Sequence, residues 1–142
     1  KQYDIRSFKV AKFSKGCAGV EVPNIGCVYQ LPSFSPIKAG SEEMKKWDSK
    51  WNASAVASLD NYWAGAKKAC DDIGMSLPDN SKLLSIYQAN KKDSSIGLPN
   101  FIWFWSSTER RDIEAYSIGF YRGTTDYDYK DGENSKVLCV GD

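Results

Sequence analysis

The chain has 142 residues, of which 42% are hydrophobic, and its five Trp, eight Tyr and six Phe supply enough apolar volume for the core of one domain. This composition excludes a disordered chain. Nineteen basic and eighteen acidic residues leave a formal net charge of +1, so no long-range field attracts nucleic acid, anionic lipid or an acidic substrate.

The first 59 residues predict little regular structure. Residues 1–40 alternate short β-like runs, such as Phe8 to Phe13, with Gly and Pro, a pattern typical of loops and short strands. Residues 41–59 begin with Ser41 and two Glu residues, which favours a capped helical turn or two.

Two helices are predicted in the middle of the chain. The first can be capped by Asp60 or Asn61 and ends at Gly74, which supplies a left-handed stop. Its apolar residues recur every three or four positions: Trp63, Ala66, Cys70 and Ile73. The second can be capped by Asp79 or Asn80 and has one apolar face, formed by Leu83, Leu84 and Tyr87.

Four strands are predicted in the last third of the chain. They cover Phe101 to Trp105, Ala115 to Tyr121, Thr124 to Lys130 and Lys136 to Val140. Gly123 and the pair Asp131-Gly132 are typical of the reversals between them. Strands, two helices and then a meander predict an α+β fold in a single domain.

The chain has four Cys and no His. Because Cys70 and Cys139 lack the closely spaced partner that structural zinc sites have, we expect two disulfides and no metal. The residues alone leave all three pairings open. Disulfides persist in oxidising compartments, which predicts an extracellular or cell-surface location.

Residues 60–140 carry several motifs in a recognisable order. They are Trp63-Ala64-Gly65-Ala66-Lys67-Lys68-Ala69-Cys70, Ser76-Leu77-Pro78, Trp105-Ser106-Ser107-Thr108, Ala115 to Phe120 with Gly123, and Val137-Leu138-Cys139-Val140. This order resembles a bacterial branch of C-type lectin-like domains of the Trp-Ser-Ser-Thr type, and in particular the variable proteins of diversity-generating retroelements. Ser76 and Leu138 depart from the family, which favours Arg or an Arg-like residue at these positions.

The resemblance implies a C-type lectin-like fold with two helices, a small twisted antiparallel sheet and disulfide staples. It pairs Cys70 with Cys139, which leaves Cys17 with Cys27. Loop entropy predicts about 4 kcal/mol of stabilisation from the longer loop and about 3 kcal/mol from the shorter one. The implied core is residues 60–142, and residues 1–59 are an extension or the first strands of the fold.

The resemblance also implies a ligand-binding surface near the C-terminus. In such variable proteins, mutagenesis at adenines of Asn-type codons changes surface residues and cannot produce Lys, Glu, Gln, Met or Trp. Residues 115–129 contain none of these five and are rich in Tyr, Asp, Ser, Thr, Gly and Arg. Such residues suit binding surfaces, because Tyr supplies rigid contact area and small polar residues adapt their hydrogen bonds.

We expect the ligand contacts in the turn after Trp-Ser-Ser-Thr and on the exposed face of residues 117–129. The candidates are Glu109, Arg110, Arg111, Asp112, Glu114, Ser117, Gly119, Tyr121, Thr125, Tyr127 and Tyr129. Alternation places the last three on one face of a strand, and Asp126 and Asp128 on the other. Two interpretations stay open: one face binds ligand, or one of these faces packs on the core. Trp103 and Trp105 belong to a run that is too apolar to be exposed, which predicts core positions.

Neither catalysis nor calcium binding is expected. The absence of His removes the usual general base and the usual nucleophile pairs. Four carboxylates lie close in sequence, at Asp126, Asp128, Asp131 and Glu133, but the chain lacks the Trp-Asn-Asp strand of the family's calcium-dependent sugar binders. We therefore expect a protein without enzymatic activity, cofactor or metal.

The function expected from these observations is a monomeric display module that binds a protein or other macromolecule, and not nucleic acid. The alternative is a structural or tip subunit of a pilus-like or other surface assembly. The sequence has no apolar run near the roughly 20 residues of a membrane span. Because the chain begins at Lys1 without Met, we expect membrane contact only through an anchor outside this chain.

Overall fold

A computed structural model of the chain describes residues 16–51 and 60–141. The helices within them are α1 (Glu42–Trp47), α2 (Tyr62–Asp72), α3 (Asn80–Lys92) and a short 3-10 helix (Ser94–Ile96). The strands are β1 (Val20–Val22), β2 (Gly26–Gln30), β3 (Ile37–Lys38), β4 (Asp60–Asn61), β5 (Trp103–Arg111), β6 (Glu114–Gly119), β7 (Thr124–Tyr129) and β8 (Leu138–Gly141). The predicted α+β class is confirmed.

The number of helices and sheets differs from the prediction of two helices and one small sheet. The described residues contain three α-helices, because the turn predicted after Ser41 forms the short helix α1. Their strands form three antiparallel sheets, in the orders β1-β2-β8, β3-β4 and β5-β6-β7. The predicted run at residues 8–13 and the helical positions at 52–59 lie outside the described residues.

The first and last strands of the described chain meet in one sheet. Strand β2 lies between β1 and β8, with Val28 opposite Val140 and Tyr29 opposite Cys139. Disulfides join Cys17 to Cys27 and Cys70 to Cys139, the pairing that the resemblance implies. The second bond ties α2 to β8 across 69 residues of sequence.

Both long helices begin at a predicted cap, and the first also ends before the predicted glycine. The side chain of Asn61 accepts a hydrogen bond from the backbone of Ala64 at 2.8 Å, and Asp79 accepts one from Lys82 at 2.9 Å. Gly74 follows α2 with a φ of 75°, which a residue with a side chain rarely adopts. Among the described residues, no helix has the length and apolar character to cross a membrane.

Two large apolar clusters lie on either side of β5, and a third, smaller one contains Ile37, Met44 and Ala64. Leu83 and Ile86 of α3 pack in the same cluster as Phe104 and Ile118, which lie opposite each other on β5 and β6. The second cluster surrounds the Cys70–Cys139 bond and combines residues of α2, β5 and the C-terminal segment. It includes Trp63, Ala66, Trp105, Ala115 and Val137. The adjacent residues Phe104 and Trp105 thus pack in different clusters.

A fully buried lysine connects the ends of several elements. Lys130, directly after β7, has a 0% exposed side chain, and its Nζ lies 2.9 Å from Oδ2 of Asp48 and 3.2 Å from Oε2 of Glu109. The same Nζ donates to the carbonyl of Asp112 at 2.8 Å and lies 4.3 Å from the ring centroid of Trp63. Since two carboxylates and a carbonyl surround the ammonium, its charge is compensated inside the core.

Replacing Lys130 with Met leaves the buried Asp48 carboxylate without its cation. We expect the free energy of unfolding to fall by about 3–5 kcal/mol, the cost of breaking a buried ion pair from one side. Urea denaturation of the oxidised protein measures this change in the free energy of unfolding. The exposed Lys45→Met variant is the control and should change stability by less than about 0.5 kcal/mol. A loss below about 1 kcal/mol in Lys130→Met would show that the pair contributes little.

Candidate ligand-binding surface

Strand β7 is an edge strand that is exposed on both faces. Among the described residues it pairs with β6 alone, from Glu114 opposite Tyr129 to Gly119 opposite Thr124. Tyr127 and Tyr129 are 45% and 50% exposed, and on the other face Asp126 is exposed and Asp128 is half-buried. Neither face packs on the core, so the interpretation in which one face is buried is wrong.

The free edge of β7 is closed by its own aspartates. The backbone N–H of Lys130 donates to the carbonyl of Ile113 at 2.8 Å, so in this register the N–H groups of Tyr127 and Tyr129 point away from β6. Each donates at 2.8 Å to the carboxylate of the preceding residue, Asp126 or Asp128. This arrangement leaves these N–H groups engaged and discourages the addition of another strand.

The face of β7 that carries the tyrosines also carries two arginines from the end of β5. The guanidinium of Arg110 lies 3.8 Å from the ring centroid of Tyr127, which is close enough for a cation–π interaction. Oε1 of Glu114 accepts from Arg110 at 2.6 Å and from Arg111 at 2.8 Å. We call Arg110, Arg111, Thr125, Tyr127 and Tyr129 the tyrosine face.

Glu114 is a buried acceptor that holds the two arginines of the tyrosine face. We predicted a direct ligand contact, but the residue is only 3% exposed because both arginines cover it. The hydrogen bond from Arg111 and the one from Arg110 hold the pKa of Glu114 below its ordinary value, although burial opposes the shift. The same bond raises the pKa of Arg111. Glu114 therefore fixes the orientation of two exposed guanidinium groups.

Two more predicted contact residues are tied to the buried lysine. Glu109 is half-buried and its carboxylate bonds to Lys130, and the backbone carbonyl of Asp112 accepts from the same ammonium. The side chain of Asp112 lies at an exposed position in the β5–β6 turn. Glu109 thus has a structural contact, and Asp112 remains available at the surface.

The opposite face of β7 borders a shallow pocket of about 170 Å³, which we call the Trp103 pocket. Its lining consists of Trp103, Ser117, Asp126, Tyr127, Asp128, Asn134 and Ser135. Ser117 is 4% exposed and Gly119 is also buried, so the prediction that both lie on an exposed face is wrong. Both residues share the face of Trp103 in the sheet, and the Trp103 ring covers Gly119.

Trp103 itself is 36% exposed, which corrects its predicted place in the core. Its ring lies over Gly119, where a Cβ would come within 3.0 Å of three ring atoms. Phe101 is 75% exposed and is likewise not a core residue. Within this run the clusters take up Phe104 and Trp105, and Trp103 and Phe101 lie outside them. Gly119 within a strand was the available signal, since such glycines mark close approach of another group.

Tyr121 belongs to a different cavity from the rest of the predicted site. It stacks on Phe101 with ring centroids 5.0 Å apart, and both border a cleft of about 420 Å³ beside the C-terminal end of α3. This cleft shares no lining residue with the Trp103 pocket. The turn at residues 120–123 therefore separates Tyr121 from the tyrosine face.

Within residues 16–51 and 60–141, no group of three or more His, Cys, Asp or Glu side chains has an arrangement that could hold a metal ion. No model of a known protein family matches the chain, and neither a curated protein nor a solved structure is significantly similar to it.

We expect Glu114→Gln to lower stability by about 1–3 kcal/mol at neutral pH, because charge-assisted hydrogen bonds to two arginines are weakened. Since the folded-state pKa of Glu114 is lowered, the ionised carboxylate stabilises the fold fully above its unfolded pKa of about 4.3. That contribution is lost as the pH falls through the lower folded-state value.

Thermal unfolding measured from pH 7 to pH 2 tests whether the stabilisation by Glu114 is lost as the pH falls. The difference between wild type and Glu114→Gln should shrink towards zero at the acid end. The control is Glu42→Gln, an exposed carboxylate in the first turn of α1, whose effect should stay within about 0.5 kcal/mol throughout. A difference that grows with acidity would contradict the assignment.

Proposed function

We propose that this protein is an extracellular, C-type lectin-like binding module that recognises a protein or other macromolecule through the tyrosine face and the adjoining β5–β6 turn. The observation that carries the proposal is that both faces of β7 are exposed, with Tyr127 and Tyr129 about half accessible. Large aromatic side chains on a rigid strand give contact area at low entropic cost.

The tyrosine face is organised before any ligand arrives. Glu114 holds both arginines, Arg110 stacks on Tyr127, and the buried Lys130 fixes the end of β7. A surface whose side chains are already positioned loses less entropy on binding, which favours affinity. Tyr and Arg are also the residues that contribute most binding energy at protein interfaces.

The alternative role, a subunit of a pilus-like assembly, draws less support from the same strand. Assembly by strand addition would require the free edge of β7 to supply backbone N–H groups, but those of Tyr127 and Tyr129 are engaged by Asp126 and Asp128. Recognition by side chains needs no such edge. The edge therefore favours ligand binding over assembly through β7.

We also propose that the segment around β6 and β7 is diversified by a retroelement. Its support is the resemblance in motif order and the absence of Lys, Glu, Gln, Met and Trp from residues 115–129. Sequencing the surrounding genome tests this idea: a reverse transcriptase beside a near-copy of the segment that differs mainly at adenines is expected. A genome without such a copy would refute it.

The binding role is tested with three variants, each of which replaces one exposed tyrosine with alanine. Ligands selected by the immobilised protein from an array of extracellular proteins should bind at least about tenfold more weakly to Tyr127→Ala and Tyr129→Ala. Tyr121→Ala is the matched control, because Tyr121 is similarly exposed, at 58%, but borders the other cleft. Its affinity should stay within about twofold of wild type.

The proposal fails if every selected ligand binds the two β7 variants as tightly as wild type. It also fails if Tyr121→Ala is the variant that loses affinity. Circular dichroism and unfolding midpoints must be equal in the three variants, so that a loss of binding reports the surface.

A further inference from the structure

The Trp103 pocket combines an aromatic side chain with two carboxylates, and no basic residue lines it. Asp126 and Asp128 lie on the β7 face opposite the tyrosine face, and the lining contains no Lys or Arg. Among the basic side chains nearby, Lys130 is enclosed by Asp48 and Glu109, and Arg110 is held by Glu114 and Tyr127. Lys136, which follows the lining residue Ser135, is exposed and forms no ion pair among the described residues. Within the described residues, Asp126 and Asp128 therefore form no ion pair with a basic side chain.

The carboxylates retain the capacity to accept further hydrogen bonds. Each uses its Oδ1 for the backbone N–H of the following tyrosine, at 2.8 Å. Neither Oδ2 has a hydrogen-bond partner among the described residues. Burial and the neighbouring carboxylates of Asp131 and Asp126 raise the pKa of Asp128, although the N–H of Tyr129 opposes this shift. A cation entering the pocket would relieve this repulsion.

Two serines with little exposed area also line the pocket. Ser117 and Ser135 are only 4% and 3% exposed, and both line the pocket. Within the described part of the chain neither side chain makes a hydrogen bond. Their hydroxyl groups are therefore available to hydrogen-bond a polar group that enters the pocket.

We infer that the Trp103 pocket binds the cationic side chain of an arginine or lysine presented by the macromolecular ligand. Trp103 offers the aromatic face that attracts such cations, and Asp126 and Asp128 offer the acceptors for charge-assisted hydrogen bonds. This inference rests on the proposed function, because it assigns the chemistry of one ligand group. It places that group beside the aspartates of β7, opposite Thr125 and Tyr129, while Tyr127 borders both the tyrosine face and the pocket.

The experiment uses a small probe, so that its result does not depend on finding the natural ligand. N-acetyl-arginine amide is titrated into the oxidised protein, and the indole N–H signal of Trp103 is followed by NMR, with assignment by a Trp103→Phe variant. We expect a saturating shift with a dissociation constant on the order of 1–10 mM. N-acetyl-citrulline amide has nearly the same shape without the charge and should bind at least about tenfold more weakly.

Two isosteric variants test the carboxylates. Asp126→Asn and Asp128→Asn keep an acceptor for the backbone N–H groups but remove the charge, and each should weaken arginine binding about fivefold or more. The control Asp72→Asn removes an equal charge from an exposed site on α2 and should leave binding unchanged. Added salt should weaken binding of the probe.

The inference is overturned if the citrulline probe binds as well as the arginine probe, or if no shift of Trp103 is seen up to about 50 mM. A neutral methyl glycoside that shifts Trp103 equally well would instead assign the pocket to carbohydrate and overturn it too. Tyr129→Ala should bind the arginine probe normally. If the arginine probe does not bind, the proposal for the tyrosine face is unaffected. If the tyrosine variants bind the selected ligands normally, the result with the arginine probe is unaffected.

Discussion

The interaction on which the rest of the structure depends is the burial of Lys130 between Asp48 and Glu109. An ammonium in the core is tolerated only where acceptors surround it, and here they come from the end of α1, from β5 and from the β5–β6 turn. The backbone carbonyl of Lys130 also accepts from the first residue of α2, Tyr62, at 2.7 Å. One residue thus joins the end of α1, the start of α2 and the β5–β6 turn region.

This constraint explains how an edge strand can be exposed on both faces and still be well positioned. One end of β7 is fixed by Lys130, the other follows the Gly123 turn, and the middle pairs with β6. The strand contributes little apolar surface to the core, so its side chains are free to serve recognition. Its two faces differ in charge, because arginines cover one side and aspartates line the other.

Sequence patterns predicted the local features of this fold well. The caps at Asn61 and Asp79, the stop at Gly74 and the alternation along β7 each depend on residues within a few positions of one another. The disulfide pairing came from motif order and not from local pattern, and it agrees with the structure. The predicted site was less accurate, since Glu114, Ser117 and Gly119 are buried and Tyr121 belongs to another cleft.

Composition, periodicity and cysteine content by themselves determined an α+β domain with an oxidised framework and a C-terminal segment rich in Tyr and Asp. Tertiary structure alone decided which of those side chains reach solvent. Trp103 and Trp105 are two residues apart in one apolar run, yet the first lines a surface pocket and the second is fully buried. Their difference arises because the core has a finite volume, and the order in which distant elements fill it cannot be read from neighbours in sequence.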